Sequence, residues 1–133
     1  MTDTEAYIAL NLIENLGPVR LRQLLAHFEG GPQEILSANA IQLARVPGVG
    51  GDTATAIAQW KTQVDLDGEL QRIAEFGCHA VIQADPEDPP MLREIYDPPM
   101  VLYVKGALKA NDKNAVALVG SRQTTTYGTE VAR

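Results

Sequence analysis

Ala115-Val116-Ala117-Leu118-Val119-Gly120-Ser121-Arg122 runs directly into Gln123-Thr124-Thr125-Thr126-Tyr127-Gly128. An apolar run of strand type ends on a glycine, a hydroxyl and an arginine, and a helix is predicted to begin near Tyr127. This order places a cation and backbone N–H groups at the carboxyl end of a strand, where open α/β sheets bind phosphates. The unbroken apolar character of residues 115–119 predicts a strand covered on both faces, as in parallel sheets. Gly120 admits a ligand close to the backbone, Ser121 and the following amides can donate to phosphate oxygens, and Arg122 can bind a phosphate bidentately. Thr124, Thr125 and Thr126 add hydroxyls and can cap the helix. The stretch is neither a Gly-x-Gly-x-x-Gly fingerprint nor a Walker A loop with its Gly-Lys-Ser/Thr.

Upstream of this turn, Leu66–Phe76 reads as an acidic amphipathic helix closed by Gly77. Residues 80–82 and 100–104 read as short strands. Residues 85–90 form a proline-rich loop, followed by one or two helical turns over residues 91–96. The acidic residues Asp85, Glu87 and Asp88 in that loop match no ligand spacing and read as solvated charge.

The first half reads as short helices. Ile8, Leu12 and Leu16 recur at helical spacing behind Thr2, Asp3 or Thr4 as N-cap. Gly17-Pro18 breaks this helix, and Leu21, Leu24, Leu25 and Phe28 line the next. Further helices are predicted around residues 33–38, 40–45 and 52–63, with a boundary between the halves near residues 62–67. A repeat at an offset of 33 residues pairs Ile8 with Ile41, Leu10 with Leu43, Ile13 with Val46, Gly17 with Gly50, Leu21 with Ala54 and Leu24 with Ile57. Each copy is helix, tight turn, helix, and two copies can bury apolar faces that neither could bury alone. The second, Val46-Pro47-Gly48-Val49-Gly50, looks like a helix-hairpin-helix turn, whose outward N–H groups at Gly48, Val49 and Gly50 can meet a DNA phosphate without reading sequence. The same turn can equally serve only to pack the domain. In the first copy Asn15 stands in place of Gly48, and that copy reads as structural.

The formal charge of −6 on 133 residues argues against wholesale coating of nucleic acid. The charge is uneven: −2 over residues 1–62, −7 over 63–100 and +3 over 101–133, so the basic segment holds Gly120-Ser121-Arg122. A single cysteine, Cys78, excludes an internal disulfide and a cysteine-based zinc cluster. His27 reads as a helix-surface residue, His79 as strand entry, Trp60 as core or seam, and Tyr103 as packed on a sheet face. No metal or cofactor site is predicted, and no catalytic Ser/His/Asp or Cys/His set can be assembled. No apolar run reaches the ~18–20 residues of a membrane span, and Met1 to Glu5 are unlike a signal peptide. A cytoplasmic protein is expected.

The order of these segments resembles one family. Pro89-Pro90-Met91-Leu92-Arg93-Glu94-Ile95 follows the helical module. Asp97-Pro98-Pro99-Met100-Val101-Leu102-Tyr103-Val104-Lys105-Gly106 comes next, then the Val119-Gly120-Ser121-Arg122 turn and Thr125-x-Tyr127-Gly128. Together they resemble the DNA-processing protein A (DprA, also called Smf) family, with Asp88 where that family usually has Tyr. The resemblance implies a non-enzymatic protein that binds single-stranded DNA and loads the recombinase RecA during natural transformation. It implies a Rossmann-like core that dimerises in the complete protein. It also assigns Gly120, Ser121 and Arg122 to the phosphate pocket, with Thr125, Tyr127 and Gly128 beside them.

The expected architecture is α+β: a helix-hairpin-helix (SAM-like) module over residues 1–64, then the start of a Rossmann-like domain over 65–133, the chain resembling the N-terminal portion of such a protein. Two other readings stay open. One is a nucleotide-processing enzyme related to the lysine-decarboxylase-like hydrolases, which would need a later glycine-rich, glutamate-containing loop. The other is a helical interaction module that docks a partner protein.

Overall fold

The computed structural model describes residues 1–109 and 114–132. Helix α1 (Asp3–Leu12) starts on a capping box, in which the Thr2 hydroxyl accepts from the Glu5 amide and the Glu5 carboxylate accepts from the Thr2 amide. Helix α2 (Pro18–His27) begins behind Gly17 with proline in its first turn, where the missing N–H costs nothing. Then follow α3 (Gly31–Ser37), α4 (Ala40–Leu43), α5 (Gly51–Ala58) and α6 (Trp60–Gln63). Asn39 and Gln42 form a second capping box at α4. The single helix predicted over residues 52–63 is divided at Gln59, and Trp60 is buried with its indole N–H donating to the Leu36 carbonyl at 3.1 Å.

The repeat is visible in the backbone. Asn15 (φ 62°) and Gly48 (φ 83°) occupy corresponding left-handed positions, and Asn is the non-glycine residue best suited to that region. Gly17 and Gly50, the next matched pair, have nearly the same extended conformation (φ −78°, ψ 168° and φ −75°, ψ 165°). The Arg20 guanidinium joins the two turns, donating to the Asn15 carbonyl at 2.7 Å and to the Gly48 carbonyl at 3.3 Å. Leu10 and Leu43, Ile13 and Val46, Leu21 and Ala54, and Leu24 and Ile57 are all buried in one apolar cluster. The pair Ile8 and Ile41 departs from the repeat: Ile8 is 1% exposed and Ile41 71%. The reason is the neighbourhood of each helix. Helix α1 is enclosed by α3, α7 and the sheet, whereas α4 packs chiefly on α5.

The second half opens with α7 (Leu66–Phe76), capped by the Asp65 carboxylate on the Gly68 amide and closed by Gly77 in the left-handed conformation (φ 70°). Strand β1 (Cys78–Ile82) pairs antiparallel with β2 (Val101–Lys105), Ala80 facing Tyr103, and the short helix α8 (Pro90–Arg93) lies between them in sequence. Helix α1 packs against both strands, and Met100, just ahead of β2, enters the helical cluster. Arg22 on α2 and Asp97 form a 3.0 Å ion pair across the same junction. Both partners are solvated, so the pair contributes at most about 1 kcal/mol.

Tyr103 is half-exposed and its hydroxyl is held among Glu69, Asn11 and Arg72. Desolvation, then the Glu69 charge and hydrogen bond, push its pKa up to about 12 from 10, against smaller opposing effects of Asn11 and Arg72. A raised folded-state pKa means that this stabilisation is complete below pH 10 and is lost as pH rises toward 12. An alkaline absorbance titration is expected to show a tyrosine ionising near pH 12 that vanishes in Tyr103→Phe. Unchanged titration curves would contradict the assignment.

Two expectations need correction. The loop acids are not simply solvated: Asp88 is 3% exposed and paired with Arg93, the Asp85 carboxylate accepts from the Ile82 amide, and Glu87 pairs with His79. The strand expected over residues 115–119 does not form, and Val116, Leu118 and Val119 are largely exposed. A strand needs a ladder partner, and a run apolar on both faces needs cover on both. Among the described residues the two strands pair with each other in a two-stranded antiparallel sheet, and none flanks residues 115–119.

Candidate functional site

The turn that follows the exposed apolar run brings several of the sequence-selected residues to one place. Gly120, Ser121, Thr125, Tyr127 and Gly128 line an open concavity of about 460 Å³. Leu118 and Val119 of the expected strand, Gln123 and the hydroxyl-bearing Thr124 also line it. Helix α9 (Thr126–Val131) closes the other side, held by Thr125, whose hydroxyl accepts from the Gly128 amide at 3.1 Å. Thr129 reinforces this corner by donating to the Thr125 carbonyl, with the Thr124 and Thr129 hydroxyls 3.2 Å apart.

A Cβ placed on Gly120 would meet open space, so the backbone is approachable from that side. The Ser121 hydroxyl donates to the Gln123 carbonyl at 2.6 Å, which pins the turn and leaves its oxygen lone pairs as acceptors. Donation from this hydroxyl to a phosphate would therefore require that bond to open. Arg122 lies between two lining residues but does not itself line the concavity, and it is exposed with no ion-pair partner among the described residues.

Leu108, just past β2, is tied to the loop after β1 by a polar clip. His79 Nε2 on β1 lies 2.9 Å from Glu87, and the other Glu87 oxygen accepts from the Leu108 amide at 3.4 Å. The hydrogen bond from His79, then that from Leu108, hold the Glu87 carboxyl below its usual pKa. Sequence spacing did not pair His79 with Glu87; the turn after β1 brings them together.

The hairpin candidates lie elsewhere, between α4 and α5. Gly48 and Gly50 are exposed there, but the Val49 side chain is buried and its amide donates to the Val46 carbonyl at 3.1 Å. The Gly48 carbonyl is engaged by Arg20. Among the described residues no group of His, Cys, Asp and Glu could hold a metal ion, and no helix is long and apolar enough to cross a membrane.

Residues 66–133, from α7 through the Gly-Ser-Arg turn, match the family model of DNA recombination-mediator protein A. The chain belongs to that family. It is also similar to Protein Smf of Synechocystis sp., with 28% identity over 131 residues. That alignment covers 96% of this chain and 33% of the cyanobacterial protein, so the chain spans about a third of its relative's length. No solved structure matches. Membership of the recombination-mediator family places the chain among DNA-processing and recombination proteins, and the mixed helical and antiparallel architecture is α+β.

Proposed function

We propose that the chain supplies the phosphate-binding turn of a single-stranded-DNA-binding recombination mediator. Arg122 neutralises a backbone phosphate, and Gly120 together with the Ser121 amide lets the phosphate approach the main chain. The observation that carries this reading is Arg122 itself: an exposed guanidinium without an ion-pair partner among the described residues, set between residues that line an open concavity, in the most basic segment of an acidic chain. Thr125, Tyr127 and Gly128 shape the same concavity. In the complete cytoplasmic protein, working as a homodimer and without catalysis, the captured strand would be passed to RecA. Family membership supports that role, because mediators act between DNA and a recombinase.

Phosphate capture is blind to base sequence and depends on salt. In the full-length protein, Arg122→Ala is expected to weaken oligothymidylate binding about tenfold at fixed salt. It should also make the slope of log K against log salt shallower by about 0.7, the value for one single-strand phosphate contact. Unchanged affinity and slope, measured by fluorescence anisotropy, would remove Arg122 from the interface.

A further inference from the structure

The buried apolar residues are divided very unequally along the chain. Among the described residues, only Val81, Ile82 and Met100 lie beyond residue 64, and all the others belong to the helices before it. Met100 packs into the helical cluster, so it adds nothing to a separate core of the second half. Helix α7 supplies no fully buried residue: Leu66, Leu70 and Ile73 on its apolar side are only half-buried. A two-stranded ribbon is at best marginally stable unless another layer packs on it. The layer present here is α1, which packs on β1, β2 and α7. Ile8, Ala9 and Leu10 are buried in succession, so α1 is covered on more than the one stripe of a surface helix. Polar ties cross the same junction. The Tyr103 hydroxyl on β2 meets Asn11 of α1 and Glu69 of α7, and Arg22 of α2 pairs with Asp97.

We infer that the helical module is the template on which the β1–β2 ribbon folds, with α1 as the ribbon's second layer. The dependence runs one way. The helices hold nearly all the buried apolar residues and keep them without the ribbon, apart from the contact with Met100. The ribbon without α1 keeps almost none. This gives the module a structural role that does not depend on phosphate capture at Gly120-Ser121-Arg122.

The chain carries one probe in each part. Trp60 is its only tryptophan and lies in the helical module, and the half-buried Cys78 is its only cysteine and opens β1. In a urea titration of the 133-residue chain, Trp60 fluorescence reports the module and pulsed alkylation of Cys78 reports the ribbon. Cys78 is expected to lose its protection together with the Trp60 transition or before it. Leu24→Ala empties a fully buried site in the module. It should lower the Trp60 midpoint by about 1–2 M urea, and Cys78 should again be exposed no later than Trp60. If this variant is unfolded without urea, Cys78 is expected to react at the rate of a free thiol. Protection of Cys78 beyond the Trp60 transition, in either protein, would show that the ribbon holds itself and would overturn the inference. Free reactivity of Cys78 in the folded wild type would overturn it as well, since no ribbon would then rest on the module.

Discussion

Replacing Arg93 by alanine is expected to destabilise the protein by about 3 kcal/mol. The Asp88 carboxylate is 3% exposed and is paired with Arg93 Nε. The same guanidinium donates through Nη2 to the carbonyls of Asp85 and Asp88, each at 3.3 Å. Removing it leaves a buried carboxylate without its counter-charge, a change that costs ~3–5 kcal/mol in buried pairs. The lower end applies because the Arg93 side chain is itself 43% exposed and partly hydrated. Arg93→Lys should recover only part of the loss, since an ammonium cannot bridge the carboxylate and two carbonyls in one plane. The double variant Asp88→Asn, Arg93→Ala should cost clearly less than the two single costs added together. Urea denaturation at neutral pH checks this, and a loss below about 1 kcal/mol in Arg93→Ala would show the pair to be dispensable. The loop it braces connects β1 to α8, so the consequence reaches the sheet.

The second large effect is an inequality between residues that the repeat treats as equivalent. Ile8→Ala is expected to cost about 2–5 kcal/mol, the range for emptying a filled core site. Ile41→Ala should change stability by no more than about 0.5 kcal/mol, as exposed positions generally do, and the better helix propensity of alanine could make it neutral. Leu10→Ala and Leu43→Ala, both fully buried, should by contrast be comparably damaging. Similar urea midpoints for Ile8→Ala and Ile41→Ala would mean that α4 is covered as fully as α1, contrary to the packing described here.

Local signals were legible wherever the physics is local. Gly77 closes α7 as expected because a left-handed closing glycine acts within one helical turn. Thr125 caps the last helix in the same local way, whereas α1 ends at Leu12, ahead of Gly17-Pro18, which opens α2 instead. The 33-residue repeat also survived, down to the matching left-handed residues Asn15 and Gly48. What could not be read were contacts between residues distant in sequence. Arg20 reaches the turn at Gly48 only because the two hairpins pack side by side. Arg22 meets Asp97 across 75 positions.

The candidate site divides in the same way. Gly120, Ser121 and Arg122 suggest the proposed phosphate turn through residue type and order alone, and a helix is expected to follow near Tyr127. Composition likewise placed the basic segment there. Tertiary structure decided the rest. Residues 115–119 have the apolar character of a buried strand, but a strand exists only with a partner to complete its hydrogen bonds, and none flanks them among the described residues. Their exposure, and that of Tyr127, leaves an open concavity beside the Gly-Ser-Arg turn. The sequence by itself determined the caps, turns, repeat and chemistry of this chain, because those depend on a few neighbouring residues. Which apolar faces are covered, and which charges are paired, was settled only by the fold, because burial depends on what arrives from elsewhere in the chain.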